Sequence, residues 1–375
     1  MPRKISVTLQ KNPIIMRRQL TAILAGLLLV GAGITETKAC TGITLKTPDG
    51  KPVLARTIEW GGSDLNSQYV IVPRGYRQQS YVPGGVDGMK FEARYGYVGL
   101  AVEQKEFVAE GVNEKGLSAG LFYFPNYGSY ETYAPAKKDS SIADLQLVSW
   151  ILGSCTTVDE VQEAIAQVHV VAVDPRASTV HWRFADPSGR QVVLEIIDGK
   201  PRFYENKLGV LTNSPGFEWQ LTNLNNYVNL FPGSAPTQQL GSTLLAPFGA
   251  GSGFLGIPGD VTPPSRFVRA AFYQATAPQA PSAEEAVRQC FQILNNFDIP
   301  IGIESARGEK TSGLPSATQW TSATDPTNRV IYYRTMRDSR IRSIDLKSID
   351  FAHVAYRAVP LDNVDRQPIE PIDIH

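Results

Sequence analysis

The chain has 375 residues, 19% of them charged, and its 36 basic side chains balance its 36 acidic ones. That balance implies no basic face for a nucleic-acid backbone, and no segment after residue 40 is apolar enough over the roughly 20 residues that a membrane span needs. Gly and Pro number 32 and 26, which suits many short strands joined by turns.

The first 39 residues read as a secretory signal. Arg3, Lys4, Lys11, Arg17 and Arg18 form a basic start, Leu20 to Ile34 an apolar run too short to span, and Thr37 and Ala39 the small residues before a cleavage site. Cutting after Ala39 makes Cys40 the first residue of an exported protein, periplasmic or secreted, with residues 40–375 as one domain. A competing reading is an exported lipoprotein acylated at Cys40, although such sites usually carry Leu where Thr37 stands and a small residue where Lys38 stands. Three cysteines are an odd number for an exported chain. Cys155 and Cys290 either pair or remain buried thiols, and Cys40 is left over in both cases.

Ile43 and Leu45 alternate with Thr44 and Lys46, Pro48-Asp49-Gly50-Lys51 turns the chain, and Val53 to Trp60 runs back as a hairpin. A two-residue loop at Asp49-Gly50 sets Cys40 opposite Glu59 and Arg56 opposite Ile43, on the other face of the sheet. Arg56 and Glu59 then cannot both address Cys40 from a regular strand. Strands follow at 70–73, 96–102, 107–111 and 117–124, the last ending in Phe122-Tyr123-Phe124. Helices are expected over 142–152 and, behind the capping box Thr157-Val158-Asp159-Glu160, to about 168. Strands recur at 179–185, 191–197, 202–204 and 209–212. Residues 215–248 are loop-rich with a short helix over 221–230, and the five glycines between 249 and 259 make a loop without a phosphate-binding ending. Helices return at 265–276 and, behind the capping box Ser282-Ala283-Glu284-Glu285, to about 296. A late hairpin pairs 318–322 with 330–334, and a strand follows at 341–346. Hairpins dominate and parallel crossovers are scarce, so the fold class is α+β, with antiparallel sheets covered by helices.

Five separated stretches, in order and spacing, resemble the choloylglycine hydrolase family of penicillin V acylases and bile salt hydrolases. They are Cys40-Thr41-Gly42, Ala55-Arg56-Thr57-Ile58-Glu59-Trp60, Gly111-Val112-Asn113-Glu114-Lys115-Gly116-Leu117, Leu211-Thr212-Asn213-Ser214-Pro215 and Gly259-Asp260-Val261-Thr262-Pro263-Pro264-Ser265-Arg266. The resemblance implies an N-terminal-nucleophile hydrolase, a four-layer αββα sandwich of two antiparallel sheets that is often a homotetramer. It makes Cys40 the nucleophile, Arg56 and Arg266 the arginines beside it, and Asn213 half of an oxyanion hole. Tyr123 falls where the penicillin acylases usually have tyrosine and the bile salt hydrolases asparagine. Glu59 stands where the family usually has aspartate, so its carboxylate sits one methylene further out.

The residues fit that chemistry. A thiol of pKa about 8.5 and an α-amine of about 7.7–8.0 on one residue both switch near neutral pH. Arg56 and Arg266 favour the thiolate, the amine moves the proton, Glu59 orients the amine, and Asn213 with the Tyr123 N–H holds the negative oxygen. Phe122, Tyr123, Phe124 and Trp60 are expected to line the site of an apolar or aromatic acyl group. The expected activity is hydrolysis of non-peptide amide C–N bonds in a small acyl amide, penicillin V acylase-like, with bile salt hydrolase or N-acyl homoserine lactone acylase as alternatives. His169, His181, His353 and His375 make no metal-ligand spacing, and neither a metal nor a cofactor is expected.

Overall fold

A computed structural model describes residues 39–173, 178–304 and 314–374; the signal-like stretch up to Lys38 and His375 lie outside them. One glycine decides the first hairpin. Strand β1 (Ala39–Lys46) returns as β2 (Pro52–Gly62) through Pro48-Asp49-Gly50, with Gly50 at φ 80°, a left-handed conformation that glycine adopts without steric cost. Thr47 N donates to Lys51 O at 3.0 Å, and Lys51 N donates to Thr47 Oγ1 at 3.1 Å. The two-residue loop expected from Asp49-Gly50 is therefore corrected to three residues, and the register slips by one. Cys40 pairs with Ile58, Gly42 with Arg56 and Ala39 with Glu59. Directly paired residues share a face of the sheet, so Arg56 joins Cys40 on one face and Glu59 occupies the other.

The remaining strands of the two large sheets are, in chain order, β3 (Gln68–Val72), β4 (Tyr97–Ala101), β5 (Val108–Asn113), β6 (Ser118–Tyr123), β7 (Val180–Ala185), β8 (Gln191–Ile197), β9 (Lys200–Glu205), β10 (Leu314–Asp325), β11 (Val330–Thr335), β12 (Arg342–Asp345) and β13 (Arg357–Pro360). One sheet has the order β1-β2-β10-β11-β12 and the other β9-β8-β7-β6-β5-β4-β3-β13, each antiparallel throughout. Helices α1 (Leu147–Ser154) and α2 (Val158–Ile165) cover the eight-stranded sheet, and α3 (Phe217–Asn223) leads toward α4 (Pro263–Thr276) and α5 (Ala283–Leu294), which cover the five-stranded one. The result is the four-layer αββα sandwich.

Both capping boxes open helices where expected: Thr157 Oγ1 accepts from Glu160 N, and Ser282 Oγ accepts from Glu285 N, each at 3.2 Å. The helix expected from residue 142 instead begins at Leu147, because Ser141–Ala143 is a strand beside His169–Val171 and Asp144 opens a 3₁₀ turn. A hairpin at Arg77–Val82 and Gly85–Glu92 was not expected. Strands β5 and β7 are buried along their whole length, since sheet covers one face and helix the other. Cys155 and Cys290 are buried free thiols, which decides between the two expectations for them. No helix among the described residues is long and apolar enough to cross a membrane.

Candidate active site

Cys40 sits at the start of β1 with 3% of its surface exposed. Its sulfur faces the space between the sheets, where the corrected register also sends Arg56. Arg56 Nη2 donates to Cys40 Sγ at 2.8 Å, and the rest of the guanidinium is fixed by the main chain: Nε donates to Thr57 O at 3.2 Å, and Nη1 to Ala109 O at 3.2 Å and to Leu121 O. The guanidinium also lies 4.2 Å from the ring centroid of Phe122, a cation–π contact.

Asn213 arrives from the other end of β1. The stretch 209–212, expected as a strand, makes a single bridge in which Gly42 N donates to Leu211 O at 2.6 Å and Leu211 N to Gly42 O at 3.1 Å. Two residues back along β1 and two forward from Leu211, the same antiparallel register sets Asn213 beside Cys40. Cys40 N donates to Asn213 Oδ1 at 2.8 Å, and Asn213 Nδ2 donates to Tyr123 O at 2.7 Å. Arg266, in the first turn of α4, completes the ring. Its Nη2 donates to Asn213 Oδ1 and its Nη1 to Thr41 Oγ1, both at 2.8 Å, with a further bond from Nη1 to Cys40 O. An arginine opposes the positive end of the helix dipole. Here Glu59 bears on it electrostatically, and its Nε is anchored on Val261 O at 2.8 Å.

Burial pushes the Cys40 thiol above its ordinary value; Arg56, the Tyr123 N–H and Arg266 pull it back, while Glu59 adds to the rise. Glu59, 1% exposed, accepts from Thr318 Oγ1 at 3.2 Å through Oε1. Its Oε2 makes no hydrogen bond of normal geometry among the described residues. Burial raises this carboxyl to about 7 against the pull of Arg266. Burial outweighs the donors that face this carboxyl, Thr318 among them.

The structure thus brings Cys40, Arg56, Asn213, Arg266 and the Tyr123 backbone together, with Glu59 across the sheet plane at the residue paired with Ala39. The expected acyl-site lining is corrected in part. Phe122 and Phe124 are fully buried: Phe122 packs under Arg56, and Phe124 stacks on His181 with centroids 4.4 Å apart. Strand alternation sends both into the core, while Tyr123 and Trp60 keep partial exposure. Asn113, in the third family-like stretch, is architectural. It accepts from Lys115 N and Leu117 N and donates to Leu152 O and Cys155 O, tying a turn to α1.

Sequence reasoning missed three groups. Thr41 receives Arg266, and Glu110 and Arg183 form a buried pair behind Arg56. The available signal was a single charge inside an otherwise apolar strand, as in Val108-Ala109-Glu110-Gly111-Val112 and Val180-His181-Trp182-Arg183-Phe184. No cluster of His, Cys, Asp and Glu suited to a metal ion occurs among the described residues.

A family model for linear amide C–N hydrolases, the choloylglycine hydrolase family, matches residues 40–359. The bile salt hydrolase/transferase of Clostridium perfringens is 31% identical over 313 residues, covering 82% of this chain and 92% of that protein. The penicillin V acylase of Pectobacterium atrosepticum is 25% identical over 369 residues, covering 91% and 90%. Among solved structures, a variant of the conjugated bile acid hydrolase from Clostridium perfringens matches with a TM-score of 0.77 at 28% identity, over 89% of this chain and 100% of that one. The penicillin V acylase from Agrobacterium tumefaciens matches with a TM-score of 0.71 over 88% and 95%; at 22% identity this likeness bears on the fold alone.

Proposed function

The chain belongs to the choloylglycine hydrolase family, amide hydrolases of the N-terminal-nucleophile fold, and from that premise we propose that it cleaves small linear acyl amides with Cys40 as a processed N-terminal nucleophile. The observation that carries this reading is the two-sided contact of one residue: Arg56 Nη2 on the sulfur and Asn213 Oδ1 on the main-chain nitrogen, each at 2.8 Å. Cleavage after Ala39, on export to the periplasm or outside the cell, turns that nitrogen into an α-amine with Asn213 as acceptor. Ala39 is also the residue paired with Glu59, so its removal opens the side on which an unpartnered carboxylate oxygen waits.

The amine takes the thiol proton, and the sulfur attacks the amide carbon. The oxygen of the tetrahedral intermediate meets the Tyr123 N–H and the second N–H of Asn213 Nδ2, whose first is held by Tyr123 O. The ammonium passes its proton to the leaving nitrogen as the C–N bond breaks, leaving a thioester. The amine then deprotonates a water that attacks the thioester carbon, and the thiol is regenerated. Glu59 steadies the ammonium form.

An aromatic or apolar acyl group of the penicillin V acylase kind is favoured by Tyr123, which matches the tyrosine usual in those enzymes. Bile salt hydrolysis is the second reading, favoured by the 31% identity to the Clostridium perfringens enzyme. Turnover of a phenoxyacetyl amide against glycocholate decides between them. The mechanism itself is tested by Cys40→Ser and by mass spectrometry of the mature N-terminus. The expected result is a free Cys40 amine and a loss of roughly 10⁴ or more in kcat for the variant. Full turnover by the serine variant, or an acylated Cys40, overturns it.

A further inference from the structure

Arg56 does not stand alone behind the nucleophile. Glu110 on β5 approaches it from the side away from Cys40, with Oε2 3.9 Å from Arg56 Nη1, and Arg183 on β7 brings Nη2 within 3.4 Å of Glu110 Oε1. Arg183 Nη1 further donates to Ile43 O on β1 at 3.4 Å. All three side chains are at most 1% exposed. The Phe122 ring lies between the guanidiniums, 4.2 Å from Arg56 and 5.4 Å from Arg183.

The surrounding backbone is shaped to admit this group. A Cβ at Gly120 would meet Glu110 Oε2 at 2.2 Å, and one at Gly42 would meet Phe122 at 2.9 Å and Arg183 Nη1 at 3.0 Å. Two glycines on different strands therefore leave room for an ion pair that the reaction chemistry does not touch. Burying charge is costly unless it is compensated. The compensation here is unequal. The charged groups that act on Cys40 directly are Arg56 and Glu59 on β2 and Arg266 on α4, and Glu110 on β5 and Arg183 on β7 stand behind Arg56. Arg183 draws on Glu110, which leaves the charge of Arg56 turned toward the sulfur.

We propose that Glu110 and Arg183 are positioning residues for the nucleophile, a buried ion pair that holds Arg56 against Cys40 Sγ and sets, by its two opposed charges, the pH at which the thiol becomes a thiolate. The proposal rests on Cys40 as the nucleophile and adds to it a second layer of control. Burial raises the Glu110 carboxyl above its ordinary value, against the pull of Arg183 and Arg56.

The test is the pH dependence of Cys40 alkylation by iodoacetamide in the mature enzyme, read by mass spectrometry of the Cys40 peptide so that Cys155 and Cys290 do not contribute, alongside the acidic limb of kcat/KM. Glu110→Gln removes a negative charge and lowers the thiol midpoint; Arg183→Met removes a positive one and raises it. Each shift is on the order of one pH unit, as expected for a unit charge acting through an effective dielectric near 20. Arg183→Lys keeps the charge and holds the midpoint near that of the parent. Opposite shifts carry the proposal, because a purely structural role moves both variants alike or neither. Equal or absent shifts overturn it. Should Glu110→Gln not accumulate as folded protein, the two Arg183 variants decide alone, and identical midpoints for Met and Lys overturn the idea. A parent enzyme whose turnover survives complete Cys40 alkylation instead refutes the nucleophile, a result distinct from unmoved midpoints.

Discussion

The two faces of β2 solve opposite electrostatic problems. On the inner face Arg56 is held by three main-chain carbonyls, one sulfur and the carboxylate of Glu110. On the outer face, three residues along, Glu59 has one hydrogen bond at 3.2 Å and one oxygen with none. The cation is fully provided for, and the anion is not. The inner face is thus finished when the chain folds, whereas Glu59, which Arg266 reaches only electrostatically, keeps room for a further cation at the head of β1. The α-amine that the proposed cut after Ala39 would release is such a cation. The difference teaches that the sulfur side of the site is complete in the folded chain, and it fits the proposal that processing completes the nitrogen side.

Breaking the inner face has the largest expected effect. Arg56→Met removes a partner from Glu110 and leaves a fully buried carboxylate with Arg183 alone. Removing one member of a buried charge group costs about 3–5 kcal/mol, so thermal unfolding should fall sharply and Cys40 alkylation near neutral pH should slow. An unchanged melting temperature would show that Arg56 is solvated rather than paired.

Next in size is the bridge between the two faces. Asn213→Ala removes the acceptor for the Cys40 nitrogen and one donor to the developing oxyanion, and should lower kcat by roughly 10²–10³ with little change in KM. A loss confined to KM would make Asn213 a substrate-binding residue instead.

The outer face gives the smallest effect and a signed pH dependence. With Ala39 retained, the Glu59 carboxyl lies at about 7 rather than at 4.5. The folded chain therefore keeps a proton that the unfolded chain releases, and this group's contribution to stability declines as pH rises from about 4.5 to about 7, then stays level. The decline amounts to at most about 3 kcal/mol. In protein expressed from residue 39, Glu59→Gln should flatten that part of the unfolding profile. In the mature form, where an ammonium faces Glu59, the same substitution should flatten little. Equal effects in both forms would break the contrast between the faces.

Local signals were legible wherever the physics is local. A capping side chain acts on an N–H three residues away, so Thr157 and Ser282 marked two helix starts. The Asp49-Gly50 pair marked a turn. It could not reveal whether the loop held two residues or three, and that single residue decided which face carried Arg56, because side chains alternate with a period of two. Phe122 and Phe124 flank Tyr123 in sequence, which suggests site lining, yet Arg56 of the other sheet covers Phe122 and His181 covers Phe124, and both are buried.

The sequence by itself determined the residue types that can do the chemistry, their order, the antiparallel layered class and the family. The tertiary structure alone decided that Arg56 and Cys40 share a face, that Asn213 reaches Cys40 across 173 residues of chain through one bridge beside Gly42, and that Glu110 and Arg183 stand behind them. The reason is one of range. Propensities, turns and caps act over a few residues, whereas register, burial and long-range pairing are fixed only when two sheets and their helices pack together.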